Sequence, residues 1–484
     1  MMRKPLLFLL CLSFFLCAAP PASNGEGVPI PPVPREMFSD RMYGFEYFLG
    51  PLGGRATLEK PSVAGEGDRL VVTAVLSPGI LEHTDLSAGD VIVGVNGSPF
   101  KPEEHGVFAL MRAYAEAASE KKASFSLLVE RKEGRVEIPV KFKGFGMKYS
   151  PTAPAKCKRT AAILKRALDW LSEKRRTYDG SGPACSNKNN SRVVVSSVVG
   201  LALLASGAKG KSRAAALKKC RCIVLSQVGK EDLLPDKSWS QVNWNLAFGT
   251  IFLAELYARK KEPSLKKKLV ELAAQIEANQ KKTGGWAHGI GGVNGLGYCE
   301  LNIVGALCVL ALACCEKAGV KIDRRVIEKA TDYFDRSTPQ GCGLGYSVEN
   351  RTNDAGRSAP AVLAYQVLGM EQDPFPARLA KHFRTHLEQV RHGHGTPSMH
   401  LGLAAIASWN MGKKVWDAFW ERYRWHVLSV LAPEGCFTWF PTRESRAIGN
   451  GDKDMGLCWT TAWNILLLTA PESKLKILSC PSRR

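Results

Sequence analysis

ELNIVGALCVLALACCEKAG, residues Glu300–Gly319, carries apolar or small side chains on nearly every side of a helix. A helix without a continuous polar face is buried on all sides in a folded protein. Five further stretches share this composition, and they begin near Arg192, Asn243, Gly356, Ser398 and Leu457. The six stretches predict six inner helices.

A more charged, amphipathic stretch precedes each inner helix. These stretches predict six outer helices, at Arg159–Arg176, Ser212–Val228, Ser264–Gln280, Arg324–Phe334, Pro376–Val390 and Lys414–Leu431. Six alternating pairs indicate an all-α (α/α)6 toroid of six helical hairpins over residues 155–475. An open solenoid of helix pairs is the alternative.

The loop between the third outer and inner helices reads QKKTGGW, residues 280–286. It resembles the Gln-Trp repeat motif of squalene and hopene cyclases and the Gly-Gly-Trp turns of protein prenyltransferase β subunits. That resemblance implies the terpenoid-cyclase-like and prenyltransferase-like α/α toroid but not its chemistry, because the Asp-rich acid motif of the cyclases is missing. With GYCELN at residues 297–302, the whole chain resembles an uncharacterised bacterial family of the DUF6288 type, which implies no activity.

A small β-rich module precedes the helices. Its strands, Ser-Pro turn, Gly-Asp turn and Val-Asn-Gly ending resemble a PDZ domain over residues 41–145. The resemblance implies a groove that binds a peptide or protein as an added strand, with Phe48, Leu49 and Gly50 in the carboxylate loop. Pro51 donates no N–H there, and a spacer or docking role is the alternative.

The two ends of the chain carry segments of another kind. Residues 1–22 predict a cleaved signal peptide, with an uncleaved anchor as the alternative, and residues 23–40 a Pro-rich linker. Residues 476–484 predict a basic tail. We therefore expect an exported protein, periplasmic, in the cell envelope or secreted, with no stable membrane span after cleavage. The pairing of the 14 cysteines stays open.

The net charge of +21 restricts the class of partner. Such an excess favours an anionic polymer, or it reflects the solvated faces of the outer helices. Nucleic acid is not expected, because the sequence contains no basic motif of a nucleic-acid reader.

Polar residues near the start of each inner helix form the candidate site. The helices alternate in direction, so all six outer-to-inner loops emerge at one mouth, where helix N-termini favour anionic or polar ligands. The catalytic candidates are Glu300, Asp354 and Asp454, as carboxylates paired across the mouth. The ligand-binding candidates are Tyr298, Asn302, Arg357, His400 and Trp459. Helix capping and packing are the alternative roles.

No cofactor is predicted, and the metal alternative is a zinc site at His392, His394 and His400. Trp286, Tyr346, Trp439 and Trp459 are candidates for a sugar-stacking wall. Two functions remain. The main prediction is a binding protein that holds a peptide through the PDZ-like module and a polar or anionic ligand at the mouth. The alternative is a hydrolase or lyase that acts on a polysaccharide or peptide polymer through the mouth carboxylates.

Overall fold

The computed structural model describes residues 42–180, 188–207, 209–230, 240–289, 300–351, 355–442 and 450–479. The predicted signal peptide and the whole predicted linker lie outside the described residues. So do Tyr298 and Asp354. Within the described ranges, none of the helices combines the length and apolar character that crossing a membrane requires.

The N-terminal domain is an antiparallel sheet with one long helix. Its strands are β1 Glu46–Phe48, β2 Gly54–Glu59, β3 Arg69–Val75, β4 Val91–Val95, β5 Ser98–Pro99, β6 Lys122–Arg131 and β7 Gly134–Lys143. They pair in the order β1-β2-β3-β4-β6-β7, with β5 beside β4. Helix α1, Gly106–Ala117, contacts β3, β4 and β6 through a nearly continuous buried face. The predicted sheet and helix are present, while the PDZ identity stays a prediction.

Six inner helices form a closed ring. They are α3 Lys188–Ala205, α5 Val242–Arg259, α7 Asn302–Ala318, α9 Ala355–Leu368, α11 Pro397–Asn410 and α14 Leu457–Thr469. Each packs against the next along the chain, and α14 packs against α3. Nearly every residue of α7 is buried, because inner neighbours flank it on two sides. The toroid is therefore closed and the solenoid alternative is excluded.

The outer helices surround this ring and are amphipathic. They are α2 Lys158–Leu171, α4 Lys211–Gln227, α6 Pro263–Ala278, α8 Arg324–Ser337, α10 Pro374–Thr385 and α12 Lys413–Ser429, and a short helix α13, Gly451–Met455, precedes α14. In α8 the residues that face inward include Val326, Ala330 and Phe334. Their four-residue spacing places them on one face. The predicted pairing of amphipathic and apolar helices is confirmed.

A buried carboxylate holds the C-terminal segment across the far end of the ring. Glu255, near the end of α5, is fully buried. Its two oxygens accept hydrogen bonds from the backbone N–H groups of Lys476, Ile477 and Leu478 at 2.8–3.0 Å, and from Arg259 at 3.0 Å. Ile477 and Leu478 are buried. These residues therefore belong to the ring and not to the predicted basic tail.

Candidate functional site

A similar hydrogen-bond pattern recurs at the start of successive inner helices. In α5, the buried Asn243 donates from Nδ2 to the carbonyl of Ala287 at 2.8 Å, and its backbone N–H donates to the carbonyl of His288 at 3.0 Å. The first turn of one inner helix thus fixes the loop that leads into the next. The residue presented by that loop is His288.

The same hydrogen-bond pattern appears one repeat later, in α7. Asn302 donates from Nδ2 to the carbonyl of Gly345 at 2.8 Å, and its backbone N–H donates to the carbonyl of Tyr346 at 3.0 Å. Asn302 is fully buried. We predicted Asn302 as a ligand-binding residue; in the structure its Nδ2 donates inside the fold, to Gly345 and to Ser337 Oγ at 2.7 Å, so that Asn302 positions Tyr346.

Arg357 takes the equivalent position in α9. Its guanidinium donates to the carbonyl of Gly393 at 2.6 Å and lies 5.2 Å from the centre of the Tyr346 ring. It too is buried, which corrects its prediction as a ligand contact. The loop that it fixes carries His394. In three successive repeats, a side chain near the start of an inner helix therefore holds the loop that carries His288, Tyr346 or His394.

These three side chains and Trp244, from the first turn of α5, meet around His394, and we call the four residues the mouth cluster. The centre of the His394 ring lies 5.6 Å from Trp244, 6.0 Å from His288 and 5.9 Å from Tyr346. Trp244, Tyr346 and His394 are half-buried, and His288 is buried. The cluster places an imidazole among aromatic rings at the positive ends of inner helices.

Trp244 fixes the protonation of His288. The indole Nε1 donates to His288 Nδ1 at 2.8 Å. An indole N–H only donates, so Nδ1 must accept and the proton of the neutral ring lies on Nε2. Burial, with a smaller effect of His394, lowers the pKa of His288 to about 3. His288 is thus a neutral hydrogen-bond donor at neutral pH.

His400 lies behind the loop that carries His394. Its Nδ1 donates to the carbonyl of Gly356 at 3.1 Å, which leaves Nε2 as an acceptor. A Cβ atom at Gly393 would lie 2.7 Å from that Nε2, so only glycine fits there. Burial lowers the pKa of His400 to about 3. His400, predicted to bind ligand, is fully buried and supports Gly393.

The predicted carboxylate site is not assembled among the described residues. Glu300 is buried, accepts a hydrogen bond from Thr283 Oγ1 at 2.5 Å and lies beside Tyr333 of the outer helix α8. Asp454 lies in α13, where burial raises the pKa of its carboxyl group. Glu300 therefore faces the outer wall and not the mouth cluster. Asp354 lies outside the described residues.

A different carboxyl group, Asp452, joins two parts of the ring. Its Oδ1 accepts from Trp459 Nε1 at 2.9 Å, and its Oδ2 accepts from the backbone N–H of Ser398 at 2.9 Å. Burial raises the pKa of Asp452 to about 6. Trp459, predicted to contact ligand, instead packs inside the ring against Phe248 and Trp463.

The zinc alternative is not supported. Across the described residues, no three His, Cys, Asp or Glu side chains are grouped closely enough to hold a metal ion. His392, His394 and His400 are all described, and they have separate roles. His400 Nδ1 binds a carbonyl, and His392 Nε2 accepts from Arg391 at 3.2 Å.

The loop predicted to bind a peptide is buried under the toroid. Leu49 and Gly50 are buried and Phe48 is half-buried, because the turn they form packs against α12. A Cβ atom at Gly50 would lie 2.6 Å from the carbonyl oxygen of Leu428. Strand β2 is also paired on both sides, by β1 and β3. A peptide cannot add to β2 in this structure.

A substitution at Gly50 tests this docking. Gly50 has φ +56°, and Gly89 has φ +95° with no atom within 4 Å of the place that a Cβ atom would take. Both alanine variants incur the left-handed backbone cost of about 1–2 kcal/mol, but only Gly50→Ala also collides with α12. We expect Gly50→Ala to lower the free energy of unfolding by about 2 kcal/mol more than Gly89→Ala. Equal losses in chemical denaturation would show that the loop is not docked.

The ring of six helix pairs with one mouth defines an (α/α)6 toroid protein. The sequence profile of a family described as "Domain of unknown function (DUF6288)" matches residues 158–479. The chain belongs to that family. No curated protein matches the sequence.

Several solved structures are similar to the ring. A GH76A alpha-1,6-mannanase from Salegentibacter sp. HEL1_6 is 11% identical, with a TM-score of 0.43, over 64% of this chain and 98% of that chain. An unsaturated glucuronyl hydrolase from Bacillus sp. GL1 is 14% identical, with a TM-score of 0.44, over 67% and 99%. A sugar epimerase from a ruminal bacterium is 11% identical, with a TM-score of 0.42, over 65% and 99%.

The main functional prediction, a peptide- and ligand-binding protein, is wrong. Its peptide loop is buried against α12. The similar structures are named as a mannanase, a sugar epimerase and an unsaturated glucuronyl hydrolase. The terpenoid-cyclase resemblance stays a prediction.

Two members of the mouth cluster were missed by sequence reasoning. His288 follows the QKKTGGW loop, and Trp244 directly follows Asn243. The signal that identifies both is the repeat itself. The helices α5, α7 and α9 each carry near their start a side chain that binds a carbonyl of the following loop, and the next residue of that loop is the one presented.

Proposed function

We infer that this chain is an enzyme that cleaves a polysaccharide at the toroid mouth, as a hydrolase or lyase. The observation that carries this proposal is the mouth cluster. In three successive repeats, a side chain near the start of an inner helix holds the loop that presents His288, Tyr346 or His394, and with Trp244 these rings form one cluster. A purely structural repeat would not need a polar ring at each of these positions.

The chemistry of the cluster suits a sugar polymer. Flat aromatic faces such as those of Trp244 and Tyr346 pack against the apolar face of a sugar ring. Imidazole and phenol groups supply proton transfer within hydrogen-bond reach of a bound chain. The preceding inner helix fixes the loop that carries each of these polar groups. Groups held in fixed positions can orient a bound substrate for reaction.

The test measures release of reducing ends from a mannan, polygalacturonate, alginate and hyaluronan. We expect the full chain to cleave at least one of them. Trp244→Ala should lower kcat/KM about tenfold or more, because it removes both a stacking face and the donor to His288.

A matched variant separates this effect from a general loss of folding. Trp420→Ala removes a half-buried tryptophan of the outer helix α12 that stacks on Trp416, and kcat/KM should be unchanged. Thermal melting of both variants confirms that they fold. Cleavage that is insensitive to Trp244→Ala contradicts the placement of the site.

A further inference from the structure

We propose that the mouth cluster catalyses β-elimination on a uronate-containing polysaccharide, with His394 and Tyr346 as the proton-transferring pair. This inference rests on the proposed function, and it names the reaction and the substrate class of the same site. Two features of the described residues lead to it: the kind of groups that converge at the mouth, and the positions of the carboxylates.

Hydrolysis of a glycosidic bond ordinarily requires two carboxyl groups about 5–10 Å apart across the bond. Two of the buried carboxylates near the starts of inner helices are engaged within the fold. Glu300 is engaged by Thr283 at the outer wall, and both oxygens of Asp452 are engaged by Trp459 and Ser398. These two groups stabilise the fold around the mouth.

Imidazole and phenol groups occupy the mouth, and the buried guanidinium of Arg357 lies next to Tyr346. The rings of His394 and Tyr346 are neighbours, with centres 5.9 Å apart, and both are half-buried. Two proton-transferring groups at this separation can serve adjacent atoms of one sugar. Arg357 lies 5.2 Å from the Tyr346 ring and contributes a fixed positive charge next to it.

Elimination uses this combination in one balanced step. His394 takes the proton from the carbon that bears the carboxylate, and the released electron pair forms a double bond to the neighbouring carbon. The bond from that carbon to the glycosidic oxygen breaks, and the oxygen takes a proton from Tyr346. One chain gains an unsaturated uronate end and the other a reducing end. No water is consumed. Solvent then takes the proton from His394 and returns one to Tyr346.

Removal of that proton needs the charge of the uronate to be offset, since charge accumulates on its carboxylate in the transition state. Arg357 and the N-termini of the inner helices α5 and α9 supply positive potential at the mouth. His288 is held as a neutral donor by Trp244. A neutral sugar has no acidic proton next to a carboxylate, so uronates are the substrate class that this set fits.

The experiment counts two kinds of product in the same reactions. The full chain is incubated with polygalacturonate, alginate and hyaluronan, and with a mannan as the neutral polymer. Reducing ends are measured chemically, and unsaturated uronate ends by their ultraviolet absorbance. We expect equal numbers of both ends from at least one uronate polymer and neither from the mannan.

Two variants test the assigned groups. Tyr346→Phe and His394→Asn should each lower the rate of double-bond formation about a hundredfold or more. Tyr257→Phe, in the distant end of α5, and His83→Asn, on the exposed surface of the N-terminal domain, are the matched controls and should keep the rate. Circular dichroism and melting confirm folding of all four.

The outcomes separate this inference from the proposed function. Reducing ends without unsaturated ends identify a hydrolase, which overturns the elimination and leaves the proposed function intact. Unsaturated ends that persist in both Tyr346→Phe and His394→Asn overturn the assignment of the pair. No cleavage of any of the four polymers contradicts both proposals.

Discussion

The free energy of unfolding should fall steeply as the pH drops from 7 to 5. His288, His400 and His426 are buried, and burial lowers the pKa of each to about 3. In the unfolded chain an imidazole has a pKa near 6.5 and takes up a proton in this range, while the folded protein does not. Folding then opposes protonation, so stability that is present above pH 6.5 is lost on acidification.

The size of this loss of stability depends on the number of buried imidazoles. Each buried imidazole contributes up to about 1.4 kcal/mol per pH unit below its unfolded pKa. Asp452 acts in the opposite direction between about pH 4 and 6, because burial raises its pKa to about 6 and the folded state then binds the extra proton. His382, whose pKa burial lowers to about 4, acts in the same direction as the other three imidazoles. Four imidazoles against one carboxyl group leave a net loss of about 4 kcal/mol per pH unit at most.

Urea unfolding at pH 7, 6 and 5 measures this slope. His426→Phe keeps a ring against Phe440, whose centre lies 4.3 Å away, and removes one titrating group, so the slope should decrease by about 1.4 kcal/mol per unit. His83→Ala removes an imidazole that is 75% exposed and should leave the slope unchanged. A flat profile in the unsubstituted protein would mean that the buried imidazoles are not protected from protonation.

Glu255→Ala should destabilise the protein by about 3–5 kcal/mol. The substitution leaves three backbone N–H groups and the Arg259 guanidinium without their buried acceptor. Each buried donor that loses its partner costs about 1–3 kcal/mol, and partial relaxation of the C-terminal segment recovers some of this cost. The effect arises at the end of the ring opposite the mouth.

Glu271→Ala is the matched control, because Glu271 lies on the outer helix α6 with a side chain 47% exposed and only Lys268 as a charged partner. Its effect in the same chemical denaturation should stay below about 0.5 kcal/mol. Equal effects of the two substitutions would show that the C-terminal segment does not depend on Glu255. Glu255→Gln, which keeps one acceptor oxygen, should lie between them.

The helix framework was predictable from sequence because it depends on local composition. The predicted inner-helix starts near Asn243, Glu300 and Leu457 lie within two residues of the observed ones at Val242, Asn302 and Leu457. A helix that is buried on all sides needs apolar residues on all sides. This pattern can be recognised in the sequence without knowing which helices pack against it. The number of such stretches then led to the ring.

The site was predictable only in its location. A sequence shows that Asn302 begins a helix, but not that its amide nitrogen donates to the carbonyl of Gly345 in the next repeat. Polar residues at helix starts therefore suggest ligand contacts, although Asn302 and Arg357 hold loops. The residues that reach the mouth lie in the loops to which these side chains are hydrogen-bonded. Those hydrogen bonds join residues more than 30 positions apart in the chain.

The pairing of α14 with α3 has a consequence for how the ring is assembled. Five of the six joints link helices that follow one another along the chain, whereas this one links the first inner helix to the last. Until α14 is present, α3 and α11 each expose an apolar flank to water. A partly synthesised chain is thus an open arc whose two end helices expose apolar surface. Two such chains can pack these helices against each other and form a domain-swapped dimer before either ring closes.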